Sequence, residues 1–125
     1  MTVLIVDDSR VMRLKLKSLV NATGLPVTEL LEASHGGEAL TVLAERPVDA
    51  IFTDINMPVM DGREFIRQLH EKQVAANAVK VVCTTEDLGG LKDDLVRYGV
   101  TLYIEKPFDA EAVKRVLLNV GKTAA

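Results

Sequence analysis

The sequence predicts a single α/β domain built on a five-stranded parallel sheet that is doubly wound, with helices on both faces. Two observations lead to this. Short, almost wholly apolar runs alternate along the chain with segments whose apolar residues recur every three or four positions. The length of 125 residues also suits one domain, because two domains of half that size would each bury too little surface to be stable.

Five strands are predicted from the apolar runs. The first is apolar throughout, as expected of a strand that is buried on both faces. The second is weaker, and its residues Glu29 and Glu32 indicate an exposed edge of the sheet. The predicted strands are Val3–Val6, Val27–Ala33, Val48–Thr53, Val79–Cys83 and Val100–Ile104.

Five amphipathic helices are predicted from residues that share one helical face. We expect Gly36-Gly37 to break the chain before the second helix. We expect Gly89-Gly90 to weaken the first turn of the fourth helix by about 1 kcal/mol per glycine. The core-facing residues, helix by helix, are Met12, Leu16, Leu19 and Val20; Ala39, Leu40 and Leu43; Phe65, Ile66 and Leu69; Leu88, Leu91 and Leu95; and Val113, Val116, Leu117 and Val120.

The alternation of strands and helices determines the expected topology. It implies parallel strands joined by right-handed helical crossovers, with two helices on one face of the sheet and three on the other. The strand order 2-1-3-4-5 of flavodoxin-like folds is a common form of such a sheet, and we adopt it by analogy. All strands of a parallel sheet end at one edge, and ligands bind in the crevice outside that edge.

Composition argues against several classes of protein. Apolar residues make up 48% of the chain and charged residues 26%, which is typical of soluble globular proteins. We find no signal peptide or membrane span, and we therefore expect a cytosolic protein. The net charge of −3 argues against direct binding of nucleic acid. Cys83 is the single cysteine, which excludes an internal disulfide and a cysteine-based metal site.

Polar side chains follow four of the five predicted strands, at the edge where a ligand would bind. Strand one ends in Asp7-Asp8, strand three in Asp54 and strand four in Thr84, and Lys106 follows strand five. Three carboxylates, a hydroxyl and an ammonium are therefore expected at one edge. The alternative for the aspartate pair is that it simply caps the first helix, and the alternative for the lysine is a solvated side chain.

The three carboxylates require compensation. Two unit charges about 4 Å apart repel by roughly 4 kcal/mol at an effective dielectric constant near 20. A cation or raised pKa values would relieve this repulsion, and an all-oxygen ligand set favours Mg²⁺. Lys106 can pair with an aspartate, and the Lys106-Pro107 bond is a place where a cis peptide would turn that lysine inward.

Four segments carry a family resemblance, and they occur in a fixed order at fixed spacing. They are Val3–Arg10, Thr53–Gly62, Thr84–Glu86 and Tyr103–Phe108. Each is a weak signal alone, but the set is specific. With it the chain resembles the bacterial response-regulator receiver family, and in particular its CheY-like members, from Val3 to about Val120.

The resemblance implies a phosphorylation site. Asp54 would be the phosphoacceptor, and Mg²⁺ would be held by Asp7, Asp8, Asp54 and the backbone carbonyl of Asn56. The side chains of Asn56 and Glu86 would tune the rate at which the acyl phosphate hydrolyses. The domain would be a signalling domain and not an enzyme, although self-catalysed phosphotransfer and autodephosphorylation are expected.

The resemblance also implies a switch. Lys106 would contact the phosphoryl group, and Thr84 would be the switch hydroxyl that moves toward it. Tyr103 would be the aromatic switch, turned outward in the inactive state and inward in the active state. Thr85 replaces the alanine that is frequent after the switch hydroxyl in the family, and its bulk is expected to crowd the path of Tyr103.

The implied partners are proteins. The phosphodonor would be a sensor histidine kinase or a phosphotransfer protein, and a downstream protein would dock on the face formed by the fourth helix, fifth strand and fifth helix. No membrane or nucleic-acid contact is expected. Met1 lies two residues before the first predicted strand and Gly121–Ala125 follow the last helix, so we expect a stand-alone receiver and not the first domain of a longer regulator.

Three other functions fit a domain of this class less well. A receiver-like binding module would work without phosphorylation. An aspartyl-nucleophile phosphohydrolase usually has a second acid two residues after the nucleophile, where this chain has Asn56. A dinucleotide-binding domain would need a glycine-rich fingerprint after the first strand, where the sequence is Asp7-Asp8-Ser9-Arg10.

Overall fold

Strands and helices alternate along the whole of the described chain, as the sequence predicts. The computed structural model describes residues 1–84, 88–100 and 102–120. Its elements are β1 Thr2–Val6, α1 Arg10–Ala22, β2 Glu29–Ala33, α2 Gly36–Glu45, β3 Ala50–Asp54, α3 Gly62–Glu71, β4 Val79–Thr84, α4 Leu91–Arg97, β5 Leu102–Glu105 and α5 Ala110–Leu117. Among these, no helix has the length and hydrophobicity that a membrane span requires.

The five strands form one parallel sheet in the order β2-β1-β3-β4-β5, which confirms the predicted class and order. β2, with its two glutamates, lies at an edge of the sheet as expected. The register aligns the carboxyl ends of the strands, because Asp54 pairs with Cys83 and Thr84 pairs with Glu105. The polar residues that follow these strands are thereby brought to one edge.

The core lies on both faces of the sheet, since successive residues of a buried strand point to opposite sides. On one face, strand residues pack against α2, α3 and α4; on the other, they pack against α1 and α5. The first cluster includes Leu4, Val6, Ile51, Val82, Phe65, Ile66, Leu69 and Leu95. The second includes Val3, Ile5, Phe52, Val81, Cys83, Leu16, Val20, Val113, Val116 and Leu117.

The prediction that Gly36-Gly37 breaks the chain is wrong, because both glycines lie in the first turn of α2. His35 caps this helix by accepting a hydrogen bond from the Glu38 N–H on its side chain, 3.2 Å away. The glycine is needed for close packing instead. A Cβ at Gly36 would lie 2.8 Å from the side chain of Met60.

The fourth helix and fifth strand also begin later than predicted. α4 starts at Leu91, so Gly89-Gly90 precede the helix and do not weaken its first turn. Gly89 has φ of +52°, a left-handed conformation that glycine adopts at little cost, and Gly90 is the N-cap. β5 spans Leu102–Glu105 and not Val100–Ile104, and Val100 is buried ahead of the strand.

A buried lysine lies on β4, at the opposite end of the sheet from the polar edge. Lys80 is only 6% exposed, and its ammonium donates hydrogen bonds to the carbonyl oxygens of Ala75 and Ala78 at 2.9 and 3.2 Å. Burial lowers the pKa of this lysine. The ammonium thus stabilises the loop that enters β4, a role which the apolar pattern of the strand does not reveal.

Candidate functional site

The candidate site is a cluster of carboxylates at the carboxyl edge of the sheet. Asp7 and Asp8 follow β1, and Asp54 is the last residue of β3, the strand beside it. Oxygen atoms of the three side chains lie within 4.8 Å of one another. Asp7 is 7% exposed, whereas Asp8 is exposed, so the cluster lies at the surface with one buried member.

Asp7 is held by hydrogen bonds to both of its carboxylate oxygens. The Ser9 N–H donates to Oδ1 at 2.9 Å, in the turn that precedes α1. The Lys106 ammonium donates to Oδ2 at 3.1 Å, and this contact links β1 to the chain after β5. The Lys106-Pro107 peptide bond is cis, at the position singled out in the sequence.

Lys106 also contacts Asp54, so that one ammonium lies between two carboxylates. Its Nζ is 3.4 Å from Asp54 Oδ2, while the Ile55 N–H donates to Asp54 Oδ1 at 2.8 Å. Burial raises the pKa of Asp54 above its usual range, against the opposing effect of Lys106. Burial acts to lower the pKa of Lys106, but Asp54 and Asp7 outweigh it and raise that pKa.

The donor set fits a hard divalent cation. Three carboxylates against one ammonium leave a formal charge of −2 at the cluster, and every candidate ligand atom is oxygen. Mg²⁺ prefers such ligands and keeps several waters, which the exposure of Asp8 allows. Asn56 lies two residues beyond Asp54 with an exposed side chain, and the role of its carbonyl as a ligand stays a prediction.

Replacing Lys106 with methionine is expected to tighten Mg²⁺ binding about tenfold, because the ammonium competes with the metal for the same carboxylates. A titration followed by the amide chemical shifts of residues around Asp54 measures this affinity. Lys92→Met is the matched control, since it removes a positive charge outside the cluster. Equal changes in the two variants would show that Lys106 acts only through the net charge of the domain.

Thr84 and Tyr103 lie on the neighbouring strands β4 and β5. Thr84 is the buried last residue of β4, and its carbonyl accepts a hydrogen bond from the Lys106 N–H at 2.8 Å. Both residues line a cavity of about 170 Å³, together with Leu88 and Lys92 near α4. The cavity lies between the end of β4 and the start of α4.

Tyr103 is partly buried, and its hydroxyl is shielded from solvent. Within the described part of the chain, that hydroxyl has no hydrogen-bond partner. The Lys92 ammonium lies 5.1 Å from the centre of the ring, a cation–π distance. Burial raises the pKa of Tyr103, and the nearby Asp93 carboxylate adds to this effect.

Two contacts of the site were not predicted from the sequence. Gly62, the first residue of α3, lies against the backbone of Asp54, and a Cβ there would come within 2.1 Å of the Asp54 carbonyl oxygen. Arg13, on α1, donates a hydrogen bond from Nη1 to the Asp7 carbonyl oxygen at 2.6 Å. The predicted rate-tuning residue Glu86, and Thr85 beside it, lie outside the described residues.

Comparison with known proteins points to one family. The family profile of the response regulator receiver domain matches residues 3–118. The chemotaxis protein CheY of Bacillus subtilis is 33% identical over 121 residues, covering 97% of this chain and 95% of that protein. The CheY homolog of Campylobacter jejuni is 35% identical over 128 residues, covering 100% and 95%. The solved structure of Vibrio cholerae CheY4 superposes with a TM-score of 0.83 at 31% identity, covering 95% of this chain and 97% of that one.

Proposed function

The chain belongs to the response regulator receiver domain family, and from this premise we propose that it is a switch operated by phosphorylation of Asp54. Receiver domains are signalling domains of two-component systems, which agrees with the prediction of a non-enzymatic function. The observation that carries the proposal is the placement of the Asp54 carboxylate, which lies beside two further carboxylates and 3.4 Å from the Lys106 ammonium.

Phosphoryl transfer needs a nucleophile and neutralisation of charge on the transferred group. An oxygen of Asp54 attacks the phosphorus of a phosphohistidine, so that a P–O bond forms and the P–N bond breaks. The carboxylates of Asp7, Asp8 and Asp54 would hold Mg²⁺, with the Asn56 carbonyl as a further ligand. When bound, Mg²⁺ supplies positive charge beside the phosphoryl oxygens. Lys106 exchanges its contact with Asp54 for one with a phosphoryl oxygen.

The acyl phosphate then acts on the neighbouring strands. It adds negative oxygen atoms near the end of β4, and Thr84 gains a charge-assisted hydrogen bond by moving toward them. Movement of Thr84 changes the cavity that it shares with Tyr103, and the ring rotates. Among the described residues, the Tyr103 hydroxyl has no hydrogen-bond partner, which supports a ring that no hydrogen bond holds in place. Phosphorylation thereby biases a two-state element.

The partners follow from this chemistry. The donor is a sensor histidine kinase or a phosphotransfer protein that presents a phosphohistidine at the edge of the sheet. The target is a protein that docks on α4, β5 and α5. Tyr103 belongs to β5, and Lys92 of α4 lies over its ring. Hydrolysis of the acyl phosphate, at a rate tuned by Asn56 and Glu86, ends the signal.

The proposal is tested with beryllofluoride, a mimic of the phosphoryl group, added with Mg²⁺ to the isotope-labelled protein. We expect NMR shifts of residues around Asp54 and Lys106, and also at Thr84 and Tyr103, that require both additives. If no Mg²⁺-dependent shift occurs, the phosphorylation mechanism is wrong, and a receiver-like module that binds its partner without phosphorylation takes its place. If shifts occur only in the acidic cluster, phosphorylation of Asp54 is supported, but the proposed switch through Thr84 and Tyr103 is contradicted.

A further inference from the structure

The backbone of Asp7, the residue that follows β1, is held by hydrogen bonds to two other elements. Its N–H donates to the carbonyl oxygen of Ala33 on β2 at 3.1 Å. Its carbonyl oxygen accepts from Arg13 Nη1 on α1 at 2.6 Å. The first contact orients the peptide before the Asp7 Cα, and the second orients the Asp7-Asp8 peptide after it. Together they fix both backbone dihedrals of Asp7.

Arg13 is itself held in place. Its Nε donates to Glu32 Oε1 at 3.0 Å, and the other oxygen of Glu32 accepts from Lys17 Nζ at 3.2 Å. The Arg13 side chain is only 15% exposed. Burial acts to raise the pKa of Glu32, but Lys17 and Arg13 outweigh it and lower that pKa, so the carboxylate stays ionised at neutral pH. The guanidinium therefore connects β2, α1 and the end of β1.

The two aspartates depend on this connection to different degrees. The Asp7 carboxylate has its own hydrogen bonds from the Ser9 N–H and Lys106. The Asp8 side chain is exposed and, among the residues that the structure describes, makes no hydrogen bond of its own. The backbone sets where the Asp8 Cβ lies, and Arg13 holds the Asp7-Asp8 peptide that precedes it.

We propose that Arg13 is a positioning residue for the divalent-cation site, which acts by fixing the Asp7-Asp8 peptide so that the Asp8 carboxylate faces those of Asp7 and Asp54. This inference rests on the proposed function, in which these three carboxylates hold Mg²⁺. Residues that orient metal ligands typically change metal affinity 10- to 100-fold when replaced.

The test compares Arg13→Met with Lys17→Met. Both variants remove one positive charge from α1 and one contact of Glu32, but only the first removes the donor to the Asp7 carbonyl. A charge effect alone would tighten Mg²⁺ binding in both, because a cation has been removed near an acidic cluster. A positioning role weakens it in Arg13→Met, and we expect the Kd for Mg²⁺ to rise about tenfold there.

Mg²⁺ affinity is measured by NMR titration, and the melting temperature of each apoprotein is recorded beside it. Arg13→Lys is a third variant that keeps the charge and fold but is too short to contact both the Asp7 carbonyl and Glu32. A raised Kd in this variant supports the proposal even if Arg13→Met fails to fold. Where both variants fold, the rise should be smaller in Arg13→Lys. Unchanged or lower Kd values in both Arg13 variants overturn it.

The wild-type protein separates this inference from the proposed function. If wild type binds Mg²⁺ and beryllofluoride while the Arg13 and Lys17 variants behave alike, only the positioning role is wrong. If wild type binds no Mg²⁺, the proposed function fails and the positioning role fails with it.

Discussion

Replacing Gly62 with alanine is expected to destabilise the protein by about 3 kcal/mol or more, the upper end of the cost of overpacking. An added Cβ would lie 2.1 Å from the Asp54 carbonyl oxygen, 2.8 Å from Ile55 Cα and 3.0 Å from the Asp54 carbonyl carbon. These are backbone atoms, so the clash cannot be relieved by rotating a side chain. Either β3 or the start of α3 has to move.

Gly62→Ala is also expected to displace Asp54, the candidate phosphoacceptor. The Asp54 carbonyl oxygen also accepts a hydrogen bond from Thr53 Oγ1 at 2.9 Å, and the Gly62 N–H donates to the Ile55 carbonyl oxygen at 2.8 Å. These contacts fix the backbone on either side of the Asp54 carboxylate. A shift of this backbone would therefore weaken Mg²⁺ binding in the fraction of molecules that stays folded.

Denaturant unfolding measures the stability loss, and Gly90→Ala provides the matched control. Among the described residues, no heavy atom lies within 4 Å of a Cβ built at Gly90, whose φ of −66° suits alanine. That variant is expected to be unchanged or more stable by about 0.4–1 kcal/mol, because alanine restricts the unfolded chain. Equal stability of Gly62→Ala and Gly90→Ala would contradict the close packing of Gly62 against the backbone of Asp54 and Ile55.

Replacing Asp54 with asparagine is expected to abolish phosphorylation, because the amide cannot act as the nucleophile for phosphoryl transfer. Wild type incubated with Mg²⁺ and a small acyl phosphate donor should gain the mass of one phosphoryl group, and hydroxylamine should remove it as it cleaves acyl phosphates. Asp54→Asn should gain none. Asp61→Asn is the matched control. Asp61 lies in the loop that follows Asp54 and is the N-cap of α3, and asparagine caps helices as well as aspartate does.

The same variant is expected to gain stability at neutral pH. Burial raises the pKa of Asp54, which means that the ionised form is less favourable in the folded than in the unfolded protein. This cost is present above the raised pKa and disappears as pH falls below the usual value for aspartate. Asparagine has no charge to bury, so its melting temperature should exceed that of wild type near pH 7, and the difference should shrink in acid.

The melting temperature also serves as a folding control for the phosphorylation experiment, because an unfolded variant would fail to react whatever the role of Asp54. A well-folded Asp54→Asn protein that still takes up a hydroxylamine-labile phosphoryl group would place the acceptor elsewhere. Loss of uptake in Asp61→Asn as well would indicate that the whole loop, and not one carboxylate, is required.

The parallel sheet and the grouping of Asp7, Asp54 and Lys106 were predictable because both follow from local patterns. Apolar runs identify buried strands, and parallel strands end at one edge, so residues that follow different strands meet there. The order itself came by analogy, since several doubly wound orders obey the same rules. The boundaries of α4 and β5 were less predictable, because the apolar residues Leu88 and Val100 are packed outside the helix and strand.

The class of fold, the edge that carries the site and the residue types that meet there can all be inferred from the amino-acid sequence. Strand burial and the carboxyl-edge rule act through local patterns of apolar and charged residues. Only the folded structure shows that Gly62 touches the backbone of Asp54, that α2 begins at Gly36, and that Arg13 contacts the Asp7 carbonyl. The physical reason is the same in each case. Such contacts depend on distances between atoms of different elements, and a pattern along one chain does not contain those distances.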